Sequence, residues 1–160
     1  MPDVQPGDIF ILCYSRLTNG DPFHYAIAIS KDEVNFRIFQ AINPSIAYWE
    51  YNTKDSKVVS SGTLSCACKI GNLGHSGKSL LDVDALLSSI PHRAPKEYGG
   101  RKTVYNCVVW AKLAVRKLRD EGIIRLMLDD VGEVLTEAHT MALEGKASRG
   151  SPWKMSRYAQ

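Results

Sequence analysis

Apolar residues in the first half of the chain recur at the two-residue spacing of strands, and in the second half at the three-to-four-residue spacing of helices. The turn-prone Gln5-Pro6-Gly7-Asp8 leads into Ile9-Phe10-Ile11-Leu12, a continuous apolar run that predicts a buried strand. A second strand is predicted over His24-Tyr25-Ala26-Ile27-Ala28-Ile29. The intervening Thr18-Asn19-Gly20-Asp21-Pro22 has the turn chemistry to make the two strands neighbours. Alternation places His24, Ala26, Ala28 and Ser30 on one face of this strand and Tyr25, Ile27 and Ile29 on the other. A third strand, Asn35 to Ile42, carries Gln40 near its end. Ile46 to Tyr51 fits either a strand or an irregular cleft wall, and Lys57 to Ile70 fits one or two further strands around Gly62. Within that stretch Cys66 and Cys68 are expected to share an apolar face with Leu64 and Ile70.

The period then changes. Ser79 is placed to cap a short amphipathic helix from Leu80 to Ile90, which Pro91 ends. A proline- and glycine-rich connection from Pro91 to Gly100 follows. Asn106 is a candidate N-cap for a helix that Gly122 stops. Its apolar stripe is Val104, Cys107, Val108, Ala111, Val115 and Leu118, with Lys112, Arg116 and Arg119 on the solvated side. A last helix is predicted from Asp130 to Gly145, burying Val131, Val134, Leu135, Ala138, Met141 and Ala142, with His139 in a structural role. Residues 146–160 show no period and predict a C-terminal tail that is mobile or draped over the surface. The whole predicts an α+β fold: one catalytic-type domain over residues 1–145, with an antiparallel sheet of about five strands packed against helices.

Composition narrows the class without changing this picture. At 160 residues, 44% of them hydrophobic and 23% charged, the chain can bury a core without disulfides or a structural metal. Its apolar runs fall well short of the roughly 20 residues that cross a bilayer, and Met1-Pro2-Asp3-Val4-Gln5 has no signal-peptide pattern, so a soluble cytoplasmic chain with no membrane span is expected. The net charge of +3 arises in the second half of the chain. Arg93, Lys96, Arg101 and Lys102 could attract an acidic substrate or an RNA backbone, but no nucleic-acid-binding motif accompanies them, so they read as a solvated basic surface.

Chemistry is suggested by two residues far apart in sequence. A free thiol has a pKa of about 8.5 and becomes anionic at neutral pH only beside a cation or a helix N-terminus. Cys107 opens a helix, where unsatisfied N–H groups and the dipole favour negative charge, and His24 leads a strand whose small neighbours leave room for an approaching group. Together they can form a thiolate–imidazolium nucleophile, with Gln40 holding the imidazole in one orientation. The alternatives are a small buried cysteine on an apolar stripe and an ordinary polar residue on an edge strand. Cys13, Cys66 and Cys68 read as packing residues. His75 and His92 complete no metal-ligand spacing with them, so neither a metal nor another cofactor is expected. Gly71 to Gly77 has neither a phosphate-loop ending nor a dinucleotide fingerprint, and reads as a flexible connection or a lid.

Pro6-Gly7-Asp8-Ile9, then His24-Tyr25-Ala26-Ile27-Ala28-Ile29, then Asn106-Cys107 at a helix start, in that order, resembles the circularly permuted papain-like thiol enzymes, especially their lecithin:retinol acyltransferase-like and NlpC-like branches. The resemblance implies a permuted papain-like fold, Cys107 as nucleophile, His24 as general base and Gln40 as orienter. The acyltransferase-like relatives usually carry a second histidine where this chain has Gln40. Val108-Val109-Trp110 also replaces their Glu-His-Phe, so a lipid substrate is not implied. The expected activity is a cysteine-dependent hydrolase or acyltransferase acting on an amide or ester through a Cys107 thioester. The oxyanion would be met by the Cys107 backbone N–H, with Asn106 and Tyr25 as further candidates for oxyanion or substrate contacts. A small-molecule, peptide or acyl substrate is expected. The alternatives are a non-catalytic binding or protein-interaction domain on the same fold and, less directly, an RNA-associated factor.

Overall fold

The computed structural model describes residues 3–16, 22–45, 48–92, 105–148 and 150–160. Strands β1 (Asp8–Ser15), β2 (Phe23–Ser30), β3 (Phe36–Ser45), β4 (Tyr48–Ser56) and β5 (Leu64–Asn72) precede helices α1 (Leu80–Ser88), α2 (Cys107–Asp120) and α3 (Gly132–Ser148). A short strand, β6 (Trp153–Met155), comes last. The α+β class follows directly, but the sheet has six strands in the order β4-β3-β2-β1-β5-β6 and is mixed, because β6 runs parallel to β5. The predicted antiparallel sheet of about five strands therefore describes β1 to β5. The segment expected to be a tail, mobile or draped over the surface, supplies the sixth: Trp153 packs its ring 5.3 Å from Phe10 and 5.8 Å from Phe36, covering apolar surface on the sheet's second face. Glu137, buried in α3, accepts hydrogen bonds from Ser156 Oγ and from the Arg157 backbone N–H, which pins the chain just beyond β6.

β1 lies inside the sheet and is covered on both faces, so its run from Ile9 to Cys13 is apolar without alternation. Gly7, at φ 88°, turns the chain into it in a conformation that glycine adopts at little cost, and donates its N–H to Ser30 O at 2.9 Å. The side chains of Ile9, Ile11, Tyr25, Ile27, Ile29 and Phe39 face the three helices and form the main core. Phe10, Leu12, Ala26, Ala28, Phe36 and Ile38 form a second, smaller cluster on the opposite face. Each fully buried aliphatic contributes about 1.5–3 kcal/mol relative to exposure, so the helix-covered side supplies most of the burial.

The expected caps are observed, but boundaries move: β4 continues to Ser56, past the expected end at Tyr51, and α3 runs to Ser148, past Gly145. Ser79 caps α1 through a capping box with Asp82, and Asn106 caps α2. The buried stripe of α2 is rotated from the predicted one: Trp110 and Ala114 are buried and Val108 is half-buried, while Val104 lies outside the described residues. A register shift between Cys13 and Tyr14 pairs Cys13 with Cys66 and Tyr14 with Leu64. Leu64 therefore packs against the second cluster and does not share a face with Cys66, Cys68 and Ile70. Val58–Ser60 forms a short 3-10 turn, leaving a single strand after Gly62, and Leu73–His75 forms another in the glycine-rich connection. Arg93, Lys96, Arg101 and Lys102 fall outside the described residues. Among the described residues no helix is long and apolar enough to cross a membrane.

α3 crosses β5 closely at Gly145, where a Cβ would stand 2.5 Å from Ser65 O. Helix propensity alone favours alanine over glycine by about 1 kcal/mol. The clash is with backbone and cannot be relieved by a rotamer change, so it outweighs that gain. Gly145→Ala is expected to destabilise the protein by about 1–3 kcal/mol, read as a lower urea midpoint at unchanged m-value; a raised midpoint would show that α3 can lift off β5 freely.

Candidate active site

The site forms where β2 and β3 part company. Their ladder is in register from Ile27/Phe39 to Ser30/Phe36, and the pairing stops short of His24. Side chains span the interval instead, because His24 Nε2 lies 2.8 Å from Gln40 Oε1. On the other side of β2, strand β1 continues one residue past its last ladder pair, with Arg16 N–H donating to Pro22 O at 2.9 Å. Tyr14 is the register partner of His24 and leans on the same second cluster, and alternation gives Arg16 that face as well. α2 packs on β2 and β3 from the opposite face, and Cys107 is its first residue. Asn106 Oδ1 accepts from Val109 N–H at 3.0 Å, so this side chain caps the helix that presents the sulfur.

Arg16 connects the two faces. Its Nη2 lies 2.9 Å from His24 Nδ1 and 3.5 Å from Cys107 Sγ. Sulfur and imidazole are thus no farther apart than those two distances laid end to end. Because a guanidinium only donates, it also fixes every proton along the row. His24 Nδ1 must accept from Arg16, so Nε2 carries the hydrogen and donates to Gln40 Oε1. The Gln40 amide then points its Nε2 toward Asn52 Oδ1, 3.0 Å away on β4, to which it donates. Asn52, Gln40, His24, Arg16 and Cys107 form one continuous row of hydrogen bonds. His24, Gln40 and Cys107, singled out from sequence, lie together in this row, with Gln40 hydrogen-bonded to His24. Arg16 and Asn52 were not expected: a single arginine past a strand end and an asparagine on a polar strand carry no local signal.

Electrostatics favour a neutral imidazole. Burial lowers the His24 pKa below 6.5, the positive charges of Arg16 and Lys54 push it the same way, and the Gln40 hydrogen bond partly opposes them. The cation beside the sulfur is therefore Arg16, where a thiolate–imidazolium pair had been expected. Cys107 is 1% exposed and belongs to the main core. Tyr105 Oη, two residues earlier, is buried with no hydrogen-bond partner among the described residues, and its pKa is raised first by burial and second by the negative charge Cys107 can carry. That unsatisfied hydroxyl is the kind of donor an oxyanion would engage. Tyr25, also considered for that role, points to the helix face, where its Oη is hydrogen-bonded to His139 Nδ1. Both residues line a cavity of about 640 Å³ with Val108, Lys112 and Glu133, a space bordered by neither His24 nor Cys107.

The remaining cysteines behave as packing residues. Cys13, Cys66 and Cys68 are fully buried. Burial pushes the Cys66 thiol up to about 12 and raises Cys68 as well. Among the described residues no three histidine, cysteine or acidic side chains converge on a point that could hold a metal ion. No protein-family model, curated protein or solved structure matches this chain.

Proposed function

We propose that the protein is a cysteine-dependent hydrolase or acyltransferase of the permuted papain-like kind, acting on an amide or ester through Cys107. The observation that carries this reading is the row from Asn52 to Cys107. It sets the tautomer of a neutral histidine, turns its basic nitrogen toward the sulfur's side, and supplies a cation beside the sulfur. A guanidinium and a helix N-terminus both favour an anionic sulfur.

In the proposed reaction Cys107 Sγ forms a bond to the substrate's carbonyl carbon while its proton passes to His24 Nδ1. The backbone N–H of Cys107, at the helix start, and Tyr105 Oη donate to the oxyanion. Collapse breaks the carbon–nitrogen or carbon–oxygen bond, and the leaving group takes the proton from His24. Water, deprotonated by His24, then attacks the thioester and releases the acid, or an acceptor hydroxyl or amine takes the acyl group in place of water.

Incubation with activated esters and amides followed by mass spectrometry tests the proposal. Acyl mass is expected on the Cys107 peptide alone, and acylation spread over surface lysines with none on Cys107 overturns it. A second reading, a non-catalytic binding domain, draws on the near-complete burial of Cys107; it predicts no turnover with either probe class.

A further inference from the structure

Arg16 carries a charge for which the described residues supply no counter-charge. The side chain is half-buried, and its hydrogen bonds run to an imidazole nitrogen and a thiol sulfur, with no carboxylate in range among the described residues. A charged group removed even partly from water normally finds an opposite partner. Beside it, on the second face of the sheet, is a cavity of about 270 Å³ bordered by His24, Tyr14, Lys54, Ser56, Ser61 and Thr63, with no acidic residue in its wall. Lys54 adds a second cation. Tyr14, whose hydroxyl is kept protonated by burial with a pKa pushed up to about 12, joins the serines and threonine as a neutral donor. One cation and four hydroxyls in a wall without a carboxylate, with the Arg16 guanidinium bonded to the bordering His24, suit an oxyanion, and the arginine fork matches the spacing of carboxylate or phosphate oxygens.

The position of the arginine has a mechanistic consequence. While Nη2 donates to His24 Nδ1, that lone pair is occupied and cannot accept a proton from Cys107. An anion competing for the guanidinium releases it. We infer that the cavity beside His24 is a subsite for a carboxylate or phosphate group carried by the acyl substrate, and that capture of this group by Arg16 and Lys54 frees His24 to act as base. The activation step rests on the thiol-enzyme reading above; the anion subsite does not.

The full chain is titrated with sodium acetate, with inorganic phosphate and with neutral acetamide at constant ionic strength, following thermal unfolding and the nitrogen-15 resonance of His24 Nδ1. A saturable rise in Tm and a movement of the Nδ1 resonance toward its non-hydrogen-bonded value are expected with an anion and not with acetamide. A response to acetate alone indicates a carboxylate-bearing substrate, and a stronger response to phosphate indicates a phosphorylated one. Arg16→Gln is expected to remove both signals. Lys54→Gln, at an exposed position, is expected to weaken binding roughly threefold, the scale of a solvent-exposed ion pair. Unchanged Nδ1 resonance at saturating anion, or an undiminished response in both variants, overturns the subsite. Anion binding through Arg16 in a protein that never acylates Cys107 leaves the subsite standing and defeats the enzyme reading; acylation of Cys107 with no anion response does the reverse.

Discussion

Cys107→Ala is expected to lower kcat/KM for an activated ester by on the order of 10³-fold or more, because it removes the covalent route. A thousandfold is about 4 kcal/mol of transition-state stabilisation. The same substitution trims one small buried side chain and is expected to cost only about 1 kcal/mol of fold stability, a typical value for a point change. The two effects are therefore separable: a variant with near-normal Tm and no turnover carries the proposal, and one with normal Tm and normal turnover ends it. Alkylation adds an independent check. Cys66 and Cys68 have their thiols pushed up by burial; all four cysteines are buried, and what sets Cys107 apart is the arginine beside its sulfur. Iodoacetamide near pH 6 is expected to modify Cys107 first, because the thiolate is the reactive species. Arg16→Gln should erase that preference by removing the cation 3.5 Å from the sulfur.

The parts of the fold that are local in origin are legible in the sequence. Alternation assigns His24 and Tyr25 to opposite faces, and the structure places Tyr25 in the main core and His24 beside Ile38 and Gln40 on the second face. The caps at Ser79 and Asn106 depend on side chains within three residues of their partners, and both are where the pattern puts them. What is missed is non-local. β6 spans three residues, too short to show a period, and forms because β5 offers an edge and Phe10 and Phe36 offer a surface for Trp153. The rotation of α2 toward Trp110 comes from what lies beneath it: Tyr51 sits 6.3 Å from the Trp110 ring. The register shift beside Cys13 turns Leu64 over without any mark in the local sequence. Arg16 is the clearest case. Its role exists only because β2 and β3 separate and the head of α2 approaches from the other side, a convergence of four segments that no spacing rule describes.

Activity is expected to survive below the usual histidine pKa, because His24 serves as base only when neutral and its pKa is depressed. The acid limb of kcat/KM reports this ionisation in the free enzyme. Burial is the leading cause of the depression, so the limb should lie below pH 6.5, and two substitutions should move it in opposite directions. Lys54→Gln removes a repelling cation and is expected to shift the limb upward. Gln40→Leu removes the acceptor that favours the charged imidazole and is expected to shift it downward, while also leaving Nε2–H unpaired and the ring free to turn. The plateau rate in that variant should fall roughly 10–100-fold, the lower part of the range for a misplaced general base. A merely structural Gln40 would predict a different pattern: loosening the site admits water, relieves desolvation and moves the limb up toward 6.5. Stability follows the same sign. The unfolded chain binds a proton at His24 near pH 6.5 and the folded one only at lower pH, so between those values the unfolded state holds more protons and folding weakens as pH falls. His24→Phe should remove that part of the decline, measured as a flatter Tm-versus-pH curve between pH 7 and the folded-state pKa. An unchanged slope would mean that His24 titrates alike in both states, leaving the neutral-base mechanism without its electrostatic support.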